Sequence, residues 1–266
     1  GPLLVLAGAG SGKTSVITEK IAFLINTCGI SSSHITAVTF TNKAAREMKE
    51  RVSKLLPGSA LDRLTVSTFH QLRLKIIRAE RKTLGLKSGF SIFDGEDTRT
   101  LVRDLLIQEH GAEGDLAGTI VQQISNWKND RVLPEEALAE AKSPADILCA
   151  QAYLRYKRAL KAYNALDFDD LILLPTILFE HNPAILEKWQ NQIHYLLVDE
   201  YQDTNSSQYL LVKQLIGLRG GLTVVGDDDQ SIYSWRGARP ENLVQLQDDF
   251  PGLKLVKLEQ NYRSTA

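Results

Sequence analysis

The sequence predicts an α/β fold: a parallel sheet with helices on both faces, interrupted by an inserted all-helical subdomain. Three observations predict it. Six short apolar, β-branched runs alternate with segments of amphipathic helical spacing, the pattern of a parallel sheet buried on both sides. The first run leads straight into a glycine-rich turn that ends in Gly-Lys-Thr. Between Leu86 and Leu166 the strand–helix rhythm stops and only helical spacing continues.

Taken in order, the expected strands are Leu3–Leu6, Ile35–Phe40, Leu64–Ser67, Tyr195–Val198, Leu222–Val225 and Leu255–Leu258. Val16 to Ile25 carries helical spacing directly after the turn. In the middle, Asp94 is placed to cap a helix over Asp97 to Gln108, and Pro134 and Pro144 stand near the starts of two more. Ala145 to Ala165 reads as one long helix with Leu148, Ala152, Tyr156 and Leu160 on one face. The expected division is residues 1–84 with 167–266 as the α/β domain and 85–166 as the insertion.

Composition sets the class. The chain has 266 residues, 43% apolar and 24% charged, which is ordinary for a soluble globular protein. No run approaches the roughly 18 apolar residues of a membrane span. Cys28 and Cys149 stand alone and the five histidines are scattered, so neither disulfide nor zinc chemistry is indicated. With a nucleotide-type loop, this points to the cytoplasm. The chain starts at Gly1-Pro2 against a core strand, so natural sequence upstream is expected. The net charge of −1 conceals an asymmetry. Phe40 to Phe90 holds twelve Lys/Arg against four Asp/Glu, and Tyr195 to Phe250 nine Asp/Glu against four Lys/Arg. The basic stretch suits a polyanion, and equally a solvated helix face.

The turn itself is Ala7-Gly8-Ala9-Gly10-Ser11-Gly12-Lys13-Thr14. Glycines between a strand and a helix let backbone N–H groups crowd around phosphate oxygens, and the helix N-terminus adds its positive end. Lys13 is then placed to reach the β- and γ-phosphates and Thr14 to ligate Mg²⁺. Ala7 replaces the usual first Gly. A second signal is Leu196-Leu197-Val198-Asp199-Glu200, an apolar strand ending in two carboxylates. Beside a phosphate loop, Asp199 suits the metal and Glu200 the water that attacks the γ-phosphate. Adjacent acids after a strand are common, so this signal gains weight only in that pairing.

Two polar segments follow later strands. Gly226-Asp227-Asp228-Asp229-Gln230 offers in Gln230 a neutral amide for a phosphate oxygen or the attacking water. Tyr233, Trp235 and Arg236 come next, an aromatic–Arg group suited to stacking a base or, alternatively, to core packing. Gln260-Asn261-Tyr262-Arg263 closes the chain, with Tyr262 placed for an adenine and Arg263 for γ-phosphate charge.

Together the motifs resemble the superfamily 1 DNA helicases of the UvrD/Rep/PcrA type. AGAGSGKT (7–14), TFTNKAAREM (39–48), STFH (67–70), LDFDDL (166–171), VDEYQDTN (198–205), GDDDQSIYSWRGA (226–238) and LEQNYRS (258–264) occur in the family's order. The stretches Ile124 to Asp130 and Gly237 to Pro240 lie nearer the Rep branch than the UvrD branch. The resemblance implies a first RecA-like domain with its inserted helical subdomain, working with ATP and Mg²⁺. It implies an ATPase site of Lys13, Thr14, Asp199, Glu200, Gln230 and Arg263. It also implies a single-strand DNA path along Phe40, Asn42, Thr68, His70, Tyr233, Trp235 and Arg236. The expected partners are single-stranded DNA and single-strand/duplex junctions, with 3′ to 5′ movement and no membrane.

A monomer or weak dimer is expected, and a second RecA-like domain, with its arginine finger, is expected beyond Ala266 and needed for activity. Ser15 and Arg73 depart from the family pattern, standing where relatives carry Arg and Gly. Two other readings compete: a subunit of a RecB-like helicase–nuclease, and a DNA-binding module with weak ATPase. The compact middle segment weighs against the first and intact Lys13, Asp199, Glu200 and Gln230 against the second.

Overall fold

The computed structural model describes residues 1–8, 12–110, 116–217, 220–227 and 241–258. The chain forms two compact units, Gly1–Leu72 with Phe179–Ala266, and Arg73–Leu178. The insertion expected over 85–166 is thus part of a wider unit that starts inside a helix.

In the first unit, strands β1 (Leu3–Ala7), β2 (Ile35–Thr39), β3 (Thr65–Thr68), β6 (Tyr195–Val198), β7 (Leu222–Asp227) and β8 (Lys254–Leu258) make one sheet in the order β3-β2-β6-β7-β1-β8. Every neighbouring pair is parallel. The six runs expected from the sequence therefore form the sheet, with ends shifted by one or two residues. Alternation sends Val5, Ala37, Val66, Leu197 and Val225 to one face, where they meet Ile17, Ile21 and Leu24 of α1 (Lys13–Asn26) and Met48 and Val52 of α2 (Asn42–Ser53). Each such side chain stabilises the fold by about 1.5–3 kcal/mol. Residues of the opposite face, Leu4, Val38, Leu196, Val198 and Val224, are also buried. α3 (Gly58–Arg63) joins α2 to β3, and α4 (Phe69–Ala79) follows β3 without a break. α10 (Pro183–Gln192) and α11 (Ser206–Leu215) flank β6 in sequence, and α12 (Glu241–Asp249) precedes β8.

The second unit is mostly helical. α5 (Gly95–His110), α6 (Leu116–Asn129), α7 (Pro134–Glu140) and α8 (Pro144–Ala162) pack around Val102, Ile120, Ile124, Tyr153, Tyr156 and Leu160. Asp94 and Asp97 exchange backbone N–H bonds with each other's carboxylates, a reciprocal cap on α5. Pro134 and Pro144 occupy the first turns of α7 and α8. An all-helical insertion is corrected in one respect. β4 (Ser91–Phe93) and β5 (Ala165–Asp167) pair in parallel, which also ends the long helix at Ala162 rather than Ala165. Asn164, at φ 51°, makes the turn into β5 and exchanges hydrogen bonds with the Lys87 backbone. α9 (Phe168–His181) leaves β5 directly.

Candidate active site

Parallel strands bring all their carboxyl ends to one edge, the place where open α/β sheets bind ligands. In β1 and β7 that edge sets Leu6 beside Gly226 and Ala7 beside Asp227. Past Ala7 and Gly8, the chain re-enters the described residues at Gly12, which caps α1 at φ 76°. That left-handed conformation costs a side-chain-bearing residue about 1–2 kcal/mol, so glycine suits the position. Lys13 and Thr14 form the first turn of α1, so the sequence-predicted strand and helix are in place. Ala9, Gly10 and Ser11 lie outside the described residues.

Asp199 and Glu200 follow β6, between β2 and β7. The Asp199 N–H continues the ladder onto the Val38 carbonyl at 3.1 Å. Asp199 is only 5% exposed, and burial raises its carboxyl above the ordinary range, against the Glu200 N–H bond that lowers it. The Glu200 charge adds to the rise and the Lys13 charge opposes it. A buried carboxylate short of counter-charge is a fitting group for a divalent cation. Magnesium commonly takes one or two protein oxygens and fills its shell with water and phosphate, so Asp199 and the Thr14 hydroxyl form a chemically suitable pair. Among the described residues there is no cluster of three or more acidic, His or Cys side chains that would cage a metal by itself.

Glu200 sits at φ 51°, left-handed for a residue with a full side chain. Its N–H bonds back to Asp199 Oδ1 at 2.8 Å, and a single 3₁₀ turn, Tyr201–Asp203, follows. Lys13 Nζ stands 3.5 Å from Asp227 Oδ2. The expected site residues Lys13, Thr14, Asp199 and Glu200 thus gather at one edge of one sheet. Gln230, Tyr262 and Arg263 lie outside the described residues. The sequence reading passed over Asp227 as a lysine partner, and Gln202 altogether. The Gln202 signal was its place two residues after a strand-end acid.

A second group lies at the ends of β2 and β3. Phe40 is half-buried and tilts against Phe69, ring centroids 5.3 Å apart. The Thr68 N–H donates to Gln71 Oε1 and the Gln71 N–H to Thr68 Oγ1, both at 3.1 Å. Gln71 Nε2 then donates to Asn42 Oδ1 at 3.2 Å. So Phe40, Asn42 and Thr68 are tied to one cap through Phe69 and Gln71, neither of them anticipated, and His70 is exposed on the same turn of α4. Tyr233, Trp235 and Arg236 lie outside the described residues. Arg73, one of the departures from the family pattern, is a buried residue of α4 whose guanidinium burial pulls down to about 10.

The second unit holds a polar cluster that the sequence did not announce. Lys128 Nζ donates to Asp167 Oδ2 at 2.6 Å and to Asp170 Oδ1 at 2.9 Å. The Tyr156 hydroxyl donates to the same Asp167 oxygen at 2.7 Å. Lys128 and Asp167 belong to two of the quoted motif stretches, yet in both the chemistry is internal ion pairing.

The UvrD/REP helicase N-terminal domain family model matches residues 1–251. The ATP-dependent DNA helicase Rep of Salmonella typhimurium is 59% identical over 268 residues, covering 100% of this chain and 39% of that protein. Rep of Escherichia coli K12 is 58% identical with the same coverage. The ATP-dependent DNA helicase PcrA of Staphylococcus aureus is 45% identical over 266 residues, covering 100% of this chain and 36% of that protein. The chain therefore spans about two fifths of the length of these relatives. Among the described residues no helix is long and apolar enough to cross a membrane.

Proposed function

This chain belongs to the UvrD/REP helicase N-terminal domain family, and from that premise we propose that it is the N-terminal motor part of an ATP-dependent DNA helicase moving 3′ to 5′ on single strands. One observation carries the reading: Lys13, Thr14, Asp199 and Glu200 meet at the carboxyl edge of one parallel sheet, with a helix N-terminus aimed at the same place. ATP would lie with its phosphates on the turn 7–14, and Lys13 would exchange Asp227 for phosphate oxygens. Asp199 and Thr14 would hold Mg²⁺, which supplies charge neutralisation on the phosphates. Glu200 orients and deprotonates the attacking water. Gln230 and Arg263 complete the γ-phosphate environment, and Tyr262 the adenine pocket.

Single-stranded DNA, with duplex ahead of it, would cross the Phe40, Asn42, Thr68 and His70 surface and reach Tyr233, Trp235 and Arg236. The motor domain would be the unit Gly1–Leu72 with Phe179–Ala266 and the insertion the wider unit Arg73–Leu178 rather than 85–166 alone, in a cytoplasmic protein that is a monomer or weak dimer. The test is ATP hydrolysis by the full-length protein with and without single-stranded DNA. Glu200→Gln should keep ATP binding and lose about 10²–10⁴-fold in turnover. Turnover within a few-fold of the unaltered protein would remove Glu200 from the role and the reading with it.

A further inference from the structure

We propose that Gln202 is the positioning residue of the hydrolytic site: its side-chain amide grips the Glu200 carboxylate and fastens it to the end of β7. The inference rests on the reading of Glu200 as the base and goes beyond it. Gln202 Nε2 donates to Glu200 Oε2 at 2.5 Å, and Gln202 Oε1 accepts the Asp227 N–H at 3.0 Å. Because the Asp227 N–H can only donate, the amide has one consistent orientation, oxygen to β7 and nitrogen to the carboxylate.

Local structure makes this grip necessary. Glu200 is held at φ 51°, a conformation that persists only where the surroundings over-determine it. The 3₁₀ turn after it brings residue 202 back toward residue 200, and fully buried Tyr201 anchors that turn. Across the gap Gly226 of β7 packs beside it: a Cβ there would meet Gln202 Oε1 at 3.4 Å, an ordinary contact. The partner on β7 is itself tied to the phosphate-binding lysine, since Asp227 Oδ2 faces Lys13 Nζ. One amide therefore links the water-activating carboxylate to the strand end that senses Lys13.

The chemistry suits an amide. It donates to one Glu200 oxygen, so it fixes the carboxylate in place, and it leaves the other oxygen for water. Being neutral, it takes no proton from that water. Alanine would release the carboxylate, and glutamate would set a like charge against it.

The experiment is single-turnover ATP hydrolysis by the full-length protein, with binding of a fluorescent ATP analogue and thermal melting measured on the same samples. Gln202→Ala should turn over about 10²-fold more slowly, the scale of a misplaced catalytic group, with nucleotide affinity and melting unchanged. Gln202→Glu, which removes the donor and sets a like charge against the Glu200 carboxylate, should slow turnover at least as far, again with nucleotide affinity and melting unchanged. Unaltered turnover in Gln202→Ala or in Gln202→Glu overturns the proposal. So does a joint fall of turnover, affinity and melting temperature in both variants, which marks a merely structural residue. Glu200→Gln is run in parallel. If it turns over normally, the reading of Glu200 has failed; if it is crippled while Gln202→Ala is not, only the role of Gln202 has.

Discussion

Lys13 Nζ lies 3.5 Å from Asp227 Oδ2, so the lysine at the head of α1 is paired with the end of β7. Both side chains are about a fifth exposed, and a partly solvated pair of this kind is worth little, about 0–1 kcal/mol. A nucleotide polyphosphate therefore displaces Asp227 at small cost. Lys13→Ala should lose a charge-assisted phosphate contact of about 1.5–3 kcal/mol, whereas Asp227→Asn should bind ATP at least as tightly as the unaltered protein. Calorimetric titration of both variants checks this, and a loss of affinity in Asp227→Asn to match Lys13→Ala would disprove the exchange.

Phe40 leans on Phe69 and is only partly buried. Phe40→Ala should weaken single-strand binding by about 1–3 kcal/mol, the worth of one stacked base. The loss should be the same at low and high salt, since stacking releases no counterions. Fluorescence anisotropy at two ionic strengths reads it directly; a loss that vanishes in salt would assign Phe40 to phosphate contact instead.

Lys128 neutralises one of two buried carboxylates while hydrogen-bonding both. Lys128→Met should therefore cost about 3–5 kcal/mol, the penalty of stranding buried charge, and far more than loss of a surface pair. Restoring neutrality in Lys128→Met/Asp167→Asn should recover part of it. Chemical denaturation of the single and double variants gives the comparison.

Asp170 carries a pH signature. Burial pushes its carboxyl up to about 6, against the pull of Lys128, and the Asp167 charge adds to the rise. A raised carboxyl favours the protonated native state, so its contribution is full below the ordinary value near 4 and fades as pH rises through about 6. Asp167 runs the other way: despite burial, Lys128 holds it below its ordinary value, so its contribution fades only as pH falls into the acid range. Melting temperatures of Asp170→Asn should accordingly show a shallower decline from about pH 4 to about pH 7 than those of the unaltered protein. Parallel curves would place the titration elsewhere.

How much of this was legible depended on segment length and on partner distance. The runs at Leu3, Ile35, Tyr195 and Leu222 are long, apolar and buried on both faces, so their periodicity alone reveals a parallel sheet. The turn at 7–14 and the acids at 199–200 were readable because their chemistry is set by adjacent residues. β4 and β5 have three residues each, too few for any period to show. Lys128 reads as a solvated helix lysine until a carboxylate 39 positions away folds onto it. Gln202 needs both a bend at Glu200 and a strand end 25 positions on, neither of which spacing can display.

β1 stands between β7 and β8, pairing Leu3 with Thr223 and with Lys254. During translation this strand is made well before either neighbour, since its partners lie about 220 and 250 residues further along the chain. At about 5–20 residues per second, roughly 220 residues of synthesis leave it without a partner for some 10–40 seconds. Lys13 and Asp227 therefore cannot pair during that interval. The strand with a partner on each side in the finished sheet is thus the one most exposed to mispairing on the way there, and chaperone demand should concentrate on β1.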